Sequence, residues 1–215
     1  MFGRLRFYAG VMGSGKSALA LQTAHHRRAA GRVGALFTSL GRDGDGLVTS
    51  RLGLTAEAHE FTPETDLAKH LVEILPPRGF VIIDEAQFLT SNQVDQLAWA
   101  ADELALDIDC FGLMTAFDTR LFPGSRRLVE MADETIPLQV EVTCWCGRPG
   151  RINARVEDGQ VARSGGQVAV GDVVSGEGTH YRVLCRSHWR QGDLGPHASE
   201  PTLPLALPES ATTLL

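Results

Sequence analysis

The chain has 215 residues, of which 43% are hydrophobic and 21% are charged, a balance that supports one main buried core and excludes a disordered protein. Its 20 Lys and Arg residues against 26 Asp and Glu give a net charge of -6, so there is no electrostatic reason to expect nucleic acid as a partner. No stretch is apolar enough to cross a bilayer, and residues 1–4 leave no room for a signal peptide, so we expect a cytoplasmic protein with no membrane partner.

From residue 1 to about residue 135, apolar strand-like runs alternate with longer helical patterns, which is typical of a parallel sheet covered by helices. Strands are predicted at residues 5–9, 33–38, 80–84 and 108–114. Three helices are predicted. The first covers residues 16–30 and ends at Gly31, the second opens at Thr62 with Pro63 in its first turn, and the third covers residues 91–104.

After this region the pattern changes to Val-rich alternation, interrupted by Glu157-Asp158-Gly159 and Ser164-Gly165-Gly166, which predicts short hairpins. We therefore expect an α/β domain over residues 1–135 and a smaller β-rich domain over residues 136–191. The last segment, residues 192–215, is rich in Pro, Ala, Ser and Thr without a clear period, which predicts a flexible tail.

The run Gly10-Val-Met-Gly-Ser-Gly15-Lys16-Ser17 directly follows the first predicted strand and has the phosphate-loop pattern G-x-x-x-x-G-K-S. Its glycines let successive backbone N–H groups turn inward around an anion, Lys16 can reach the outer phosphates, and the Ser17 hydroxyl suits a magnesium ion. The helix predicted from residue 16 adds its N-terminus to the anion site. The alternative is a Gly-rich turn that happens to contain a lysine, but a strand before, a helix after and a complete motif favour the phosphate loop.

The run Phe80-Val-Ile-Ile-Asp84-Glu85-Ala-Gln87-Phe88 ends a buried type of strand on two carboxylates. Open parallel sheets bind ligands at this end of their strands. Beside a phosphate loop, Asp84 suits magnesium, usually through water, and Glu85 suits a general base. The alternative is a strand that ends on two solvated acids.

A third group of residues has the composition of a zinc site: Cys144-Trp-Cys146 and Cys185-Arg-Ser-His188. Such a site can stabilise a domain that is too small for a large core. The C-x-x-H half is typical of zinc proteins, whereas C-x-C is tighter than the usual two-residue spacing. Reduced core cysteines are the alternative, disulfides are not expected in the cytosol, and Cys110, inside an apolar strand, is predicted to be a buried small hydrophobe.

The phosphate loop and the paired acids alone indicate a nucleotide-dependent phosphotransferase, a hydrolase or a switch. Both motifs are followed by the late Cys/His cluster, and the chain also contains, in this order, Val48-Thr-Ser-Arg51-Leu-Gly53, Phe122-Pro-Gly124 and Tyr181-Arg-Val-Leu-Cys185. With this combination the chain resembles the type II thymidine kinases over residues 3 to 190. The resemblance implies an α/β fold of the P-loop NTPase type, with a parallel sheet covered by helices and a small, zinc-stapled, β-rich lasso domain.

By this resemblance the protein would transfer the ATP γ-phosphoryl group to the 5′-hydroxyl of thymidine, giving dTMP and ADP, with magnesium as the cofactor and zinc as a structural ion. Glu85 would accept the hydroxyl proton, and Asp84 would help to hold the magnesium. Lys16 and Arg42 would offset charge as the phosphoryl group moves. The donor phosphates would be held by Gly10, Gly13, Ser14, Gly15, Lys16 and Ser17.

The resemblance also implies an aromatic-lined slot for the thymine ring, under a lasso-like loop that the zinc anchors. Its side chains would be Met12, Phe88, Leu113, Phe117, Phe122 and Tyr181, with polar recognition by the backbone around Val174 and Gly176. For each aromatic residue taken alone, core packing is an equally good interpretation. A homotetramer and feedback inhibition by dTTP are further implications of the resemblance.

Three features depart from the family pattern: the C-x-C spacing, Leu40-Gly41-Arg42 without the usual Asp before the Arg, and Asn153 in place of a Thr. Two other functions are therefore weighed. One is a catalytically impaired nucleotide-binding regulator with the same fold, although the key residues of the phosphate loop and the acidic pair are intact. The other is a P-loop ATPase that acts on a protein or nucleic acid, for which the chain offers no basic stripe.

Overall fold

The computed structural model describes residues 2–39, 46–165 and 179–196. In chain order its elements are β1 (Arg4–Ala9), α1 (Lys16–Ala29), β2 (Gly34–Ser39), β3 (Leu47–Thr49), β4 (Thr55–Glu57), β5 (His59–Phe61), α2 (Leu67–Ile74), β6 (Phe80–Ile83), α3 (Ser91–Glu103), β7 (Asp107–Gly112), α4 (Pro123–Met131), β8 (Glu134–Pro137), β9 (Ile152–Glu157), β10 (Gln160–Val161), β11 (Thr179–Leu184) and α5 (Arg186–Gln191). A short 3-10 turn, Ala86–Phe88, follows β6. Within the described ranges, no helix has the length and apolar character needed to span a membrane.

The large sheet has six strands, all parallel, in the order β5-β2-β6-β7-β1-β8. Strand β6 is buried along its whole length, because helices cover both faces and successive side chains point to opposite faces. Helix α1 packs on the face that carries Phe80 and Ile82, whereas α2, α3 and α4 pack on the face that carries Val81 and Ile83. The predicted parallel sheet covered by helices is confirmed.

The four predicted strands agree with the structure to within two residues, but the helix predicted to open at Thr62 is wrong. Helix α2 begins at Leu67, and its N-cap is Asp66, whose side chain accepts the Lys69 N–H at 3.0 Å. Thr62 instead takes part in a turn in which the Thr65 N–H donates to its carbonyl at 3.0 Å. Aspartate is a better N-cap than threonine, so the helix starts at the later residue.

The small sheet is antiparallel, in the order β10-β9-β11. Asp158 and Gly159 join β9 to β10 with φ angles of 49° and 75°, a left-handed pair that is typical of a two-residue hairpin. The hairpin predicted at this point is therefore confirmed. The division of the chain at residue 135 stays a prediction, and most of the predicted tail, residues 197–215, lies outside the described residues.

A buried ion cluster connects β7, β1 and α1. The fully buried Asp109 carboxylate accepts hydrogen bonds from Arg6 Nε at 2.7 Å and from Arg27 Nη2 at 2.5 Å. Burial raises the pKa of Asp109, and the positive charges of the two arginines oppose that shift. Because Arg27 belongs to α1, the cluster fixes the helix that follows the phosphate loop against the middle of the sheet.

Asp109→Ala should lower the free energy of unfolding by about 3 kcal/mol, because it leaves two partly buried guanidinium groups without their carboxylate. Urea unfolding followed by circular dichroism measures the change. Asp95→Ala is the matched control, since Asp95 pairs with Arg127 at 2.7 Å on the surface and such pairs contribute at most about 1 kcal/mol. Equal losses in the two variants would contradict a stabilising role for the buried cluster.

Candidate active site

The phosphate loop, residues 10–15, joins the end of β1 to the start of α1. Gly13 and Gly15 adopt φ angles of 76° and 80°, where other residues would be strained. A Cβ on Gly10 would lie 2.2 Å from Ser14 Oγ, so the loop closes tightly only with glycine there. The Ser14 hydroxyl is buried, and within the described ranges it finds no hydrogen-bond partner. Together with the N–H groups of the first turn of α1, which lack intrahelical acceptors, this arrangement suits a bound phosphate.

Lys16, Ser17 and Asp84 meet at the base of this loop. Lys16 Nζ donates to the Val11 carbonyl at 2.9 Å, and Ser17 Oγ donates to Asp84 Oδ2 at 2.7 Å. Asp84 directly follows β6 and is 2% exposed. A hydroxyl and a carboxylate beside a phosphate site are oxygen ligands of the kind that magnesium prefers, so these residues fit a magnesium ion.

Glu85 lies next to Asp84 in the chain and has a left-handed backbone with φ 54°, a conformation that is uncommon outside glycine and clusters at functional sites. Its side chain is buried and accepts a hydrogen bond from Gln87 Nε2. Gln87 Oε1 in turn accepts the Leu113 N–H at 2.9 Å. Because both acids are buried, the alternative of a strand that ends on two solvated acids is wrong.

Four of the side chains predicted to bind the nucleoside form one apolar cluster. Leu113 and Phe122 are buried, and Met12 and Phe88 pack against them. The rings of Phe88 and Phe122 meet edge to face, with 6.0 Å between their centroids. Met12 belongs to the phosphate loop and Leu113 is linked to Glu85 through Gln87, so the cluster adjoins both the anion site and the acids.

The other two predicted side chains, Phe117 and Tyr181, are related through Arg155 of β9. The Arg155 guanidinium lies over the Phe117 ring, 3.9 Å from its centroid. Tyr181 of β11 is the register partner of Arg155, so the two side chains emerge on the same face of the small sheet. Of the remaining predicted site residues, Arg42, Val174 and Gly176 lie outside the described residues.

Asn153 connects the small sheet to the phosphate loop, a contact that sequence reasoning missed. Its Oδ1 accepts the backbone N–H of Met12 at 2.8 Å, and the residue is 3% exposed. Because side chains alternate along β9, Asn153 shares a face with Arg155, while Ala154 and Val156 enter a separate apolar core on the other face. The sequence offered one indication of this contact, which was the Asn at a position where the family pattern has a Thr.

The side chains of Cys144, Cys146, Cys185 and His188 converge, and their ligand atoms all lie within 4.8 Å of one another. A tight turn accommodates the C-x-C spacing, since Gly147 has a φ angle of 80° and its N–H donates to the Cys144 carbonyl at 2.8 Å. Zinc bonds of about 2.0 to 2.3 Å in a tetrahedron need ligand atoms slightly closer together. The four residues therefore fit a zinc ion after small side-chain adjustments, despite the unusual spacing.

The sequence model of the family described as thymidine kinase matches residues 3–189 of this chain. The chain belongs to the thymidine kinase family. It is 47% identical over 207 residues to the thymidine kinase of Cutibacterium acnes, and the match covers 93% of this chain and 96% of that protein. The resemblance identified from the motifs is confirmed, and the protein is a kinase.

Two further relatives are also named thymidine kinase. The protein from Streptomyces avermitilis is 48% identical over 191 residues, which cover 87% of this chain and 88% of that one. The protein from Streptomyces coelicolor is 46% identical over 213 residues, which cover 97% and 99%. Among solved structures, the Pif1 helicase from Candida albicans matches with a TM-score of 0.39 and 18% identity over 63% of this chain and 36% of that one, which is too weak to support an argument.

The purified kinase should contain about one zinc ion per chain, and Cys185→Ala should contain much less, because three remaining ligands hold the metal more weakly than four. Elemental analysis by mass spectrometry measures the zinc content. Cys110→Ala is the matched control and should keep its zinc, since Cys110 is the fully buried small hydrophobe that the sequence predicts, and burial raises the pKa of its thiol. Wild-type protein prepared without chelators and free of zinc would contradict the metal assignment.

Asn153→Leu should weaken the binding of ADP about 5- to 10-fold, because it removes the acceptor of the Met12 N–H and loosens the phosphate loop. Isothermal titration calorimetry measures the dissociation constant. Asn92→Leu serves as the control, because Asn92 is exposed near the start of α3. The same ADP affinity in Asn153→Leu and in wild type would show that this contact does not support the loop.

Proposed function

We propose that this protein transfers the γ-phosphoryl group of ATP to the 5′-hydroxyl of thymidine, giving dTMP and ADP. The observation that carries the proposal is the meeting of three features at one edge of the parallel sheet: a phosphate loop, the buried Glu85 and the apolar cluster around Phe122. Ligands of open parallel sheets bind at this edge. Thymidine is the favoured acceptor because relatives that match most of the chain are named thymidine kinase.

On the donor side, the backbone N–H groups of residues 13–17 would donate to the phosphates of ATP. Lys16 would exchange the Val11 carbonyl for the outer phosphates, which lie within reach of a loop lysine. Ser17 and Asp84 would hold magnesium, Asp84 usually through water. Bound magnesium supplies positive charge that offsets the charge of the phosphates.

On the acceptor side, Glu85 would act as the general base and take the proton of the 5′-hydroxyl on its carboxylate. The hydroxyl oxygen forms a bond to the γ-phosphorus, and the bond from that phosphorus to the bridging oxygen breaks, so that ADP leaves. Lys16 would stabilise the charge that develops on the phosphoryl oxygens. The same role for Arg42 stays a prediction, because this residue lies outside the described ranges.

The thymine ring would pack within the apolar cluster, where the flat rings of Phe88 and Phe122 suit a planar base. Leu113 and Phe122 are buried there, and Met12 and Phe88 pack against this cluster. Phe117 and Tyr181 would complete the slot, and polar recognition by the backbone at Val174 and Gly176 stays a prediction. The aromatic cluster beside a phosphate loop also supports dTTP as an inhibitor, because dTTP carries both a thymine ring and a triphosphate.

The homotetramer and the cytoplasmic location stay predictions. The alternative of a catalytically impaired regulator finds little support, since Lys16, Ser17, Asp84 and Glu85 all lie at the proposed site with hydrogen bonds that position them. An ATPase that acts on a protein or nucleic acid would leave the apolar cluster beside the loop without a use.

The proposed function is tested by phosphoryl transfer from labelled ATP with magnesium to thymidine, deoxyuridine, deoxycytidine and deoxyadenosine. We expect labelled dTMP from thymidine, and its loss in Lys16→Ala, because that variant lacks the charge that reaches the outer phosphates. ATP binding without phosphorylation of any nucleoside would contradict the proposal and favour the regulator.

Glu85→Gln should lower kcat roughly 100- to 10,000-fold, because it removes the proposed base. The ADP dissociation constant should stay within about 2-fold of wild type, since the phosphate loop is unchanged. Single-turnover rates and calorimetry measure the two quantities. Comparable losses of ADP affinity and rate would argue that Glu85 supports the loop and is not the base.

A further inference from the structure

Gln87 has no part in the transfer described so far, although it is 2% exposed at the centre of the site. Its Oε1 accepts the Leu113 N–H at 2.9 Å, and its Nε2 donates to a Glu85 carboxylate oxygen. One side-chain amide therefore bridges the proposed base and a wall of the nucleoside cluster, across two different strand ends.

The partners of Gln87 determine the direction of its amide. A backbone N–H can only donate, so the amide atom that faces Leu113 must be the oxygen. The amide nitrogen is then directed to Glu85, where it meets an acceptor. The opposite orientation would set two donors against each other at Leu113 and two acceptors against each other at Glu85.

Leu113, whose N–H donates to Gln87, is itself held firmly through its carbonyl. Ser125 in α4 is fully buried, and its Oγ donates to the Leu113 carbonyl at 2.6 Å. Gly112 leaves the space that the bridge occupies, because a Cβ there would lie 2.9 Å from Gln87 Oε1 and 3.0 Å from the Gln87 backbone nitrogen. Gln87 is thus anchored to a rigid support and not to a surface loop.

We infer that Gln87 is a positioning residue that fixes the Glu85 carboxylate relative to the nucleoside-binding cluster. The inference rests on the proposed function. A donor on one carboxylate oxygen restricts the rotation of a flexible side chain, so Glu85 meets the acceptor hydroxyl in one orientation. A base misplaced by about 1 Å costs on the order of 100-fold in rate, which sets the scale of the contribution.

The test is a double-mutant cycle between Gln87→Met and Glu85→Gln. Methionine is similar in length to glutamine but offers no amide to either partner. We expect Gln87→Met to lower kcat roughly 10- to 100-fold in the wild-type background, with the ADP dissociation constant within about 2-fold of wild type. In the Glu85→Gln background it should change the rate less than about 2-fold, because there is no longer a base to position. Single-turnover assays with excess enzyme keep the slow variants measurable.

Gln93→Met is the matched control. Gln93 is 1% exposed, and its amide also makes hydrogen bonds at both ends, to the Thr90 N–H and to the carbonyls of Thr62 and Thr65. This variant should have a lower melting temperature than wild type and a kcat within about 2-fold of wild type. The comparison separates the effect of losing any buried glutamine from the effect of losing the bridge between Glu85 and Leu113.

Full activity in folded Gln87→Met, or equal fold-losses in the two backgrounds, overturns the inference. If Gln87→Met does not fold, Gln87→Ala replaces it in the same cycle, because alanine also offers no amide to either partner and leaves room for a water molecule at the Leu113 N–H. Wild type that phosphorylates no thymidine overturns the proposed function itself. An active wild type with an equally active Glu85→Gln overturns the role of the base, and the inference with it.

Discussion

Parallel pairing of β1, β7 and β6 is the constraint on which the site depends. The register sets Ala9 beside Gly112, and Cys110 beside Ile83, so the three strands finish at the same edge of the sheet. The phosphate loop, the wall of the apolar cluster and the paired acids follow these strands directly and are therefore brought together. Parallel strands also need crossover connections, and the helices in those connections cover the sheet and keep water from its faces.

The polar groups at this edge are buried, and the free-energy cost of burying them is offset by hydrogen bonds between them. A buried polar group without a partner costs about 1 to 3 kcal/mol, and Asp84, Glu85 and Gln87 are each less than 7% exposed. Ser17 donates to Asp84, Gln87 donates to Glu85, and Gln87 accepts the Leu113 N–H, and these bonds reduce that cost. The same principle operates deeper in the sheet, where two arginines accompany Asp109.

Local patterns predicted the parts of the molecule that local chemistry determines, such as the apolar strands, the phosphate loop and the helix that Thr90 and Gln93 cap together. The start of α2 was mispredicted because Thr62 and Asp66 both resemble caps and only one can begin the helix. Contacts between distant segments leave no such pattern. In the sequence, nothing near Asp109 indicates that two arginines from other elements pair with it. Asn153 is 141 residues away from Met12, whose N–H it accepts. The remaining site residues were predicted from the family resemblance. Their contacts with one another became known only from the three-dimensional structure.

The two faces of the small sheet have a thermodynamic consequence. One face of β9 enters the apolar core beside the Cys/His cluster, and the other presents Asn153 to the phosphate loop. A metal ion that orders this strand would therefore steady the loop as well. Coupling free energies between binding sites are reciprocal, so whatever factor zinc contributes to nucleotide affinity, bound nucleotide would contribute to zinc affinity. In a cell where both zinc and nucleotide fluctuate, the filled enzyme would be the form that retains its metal.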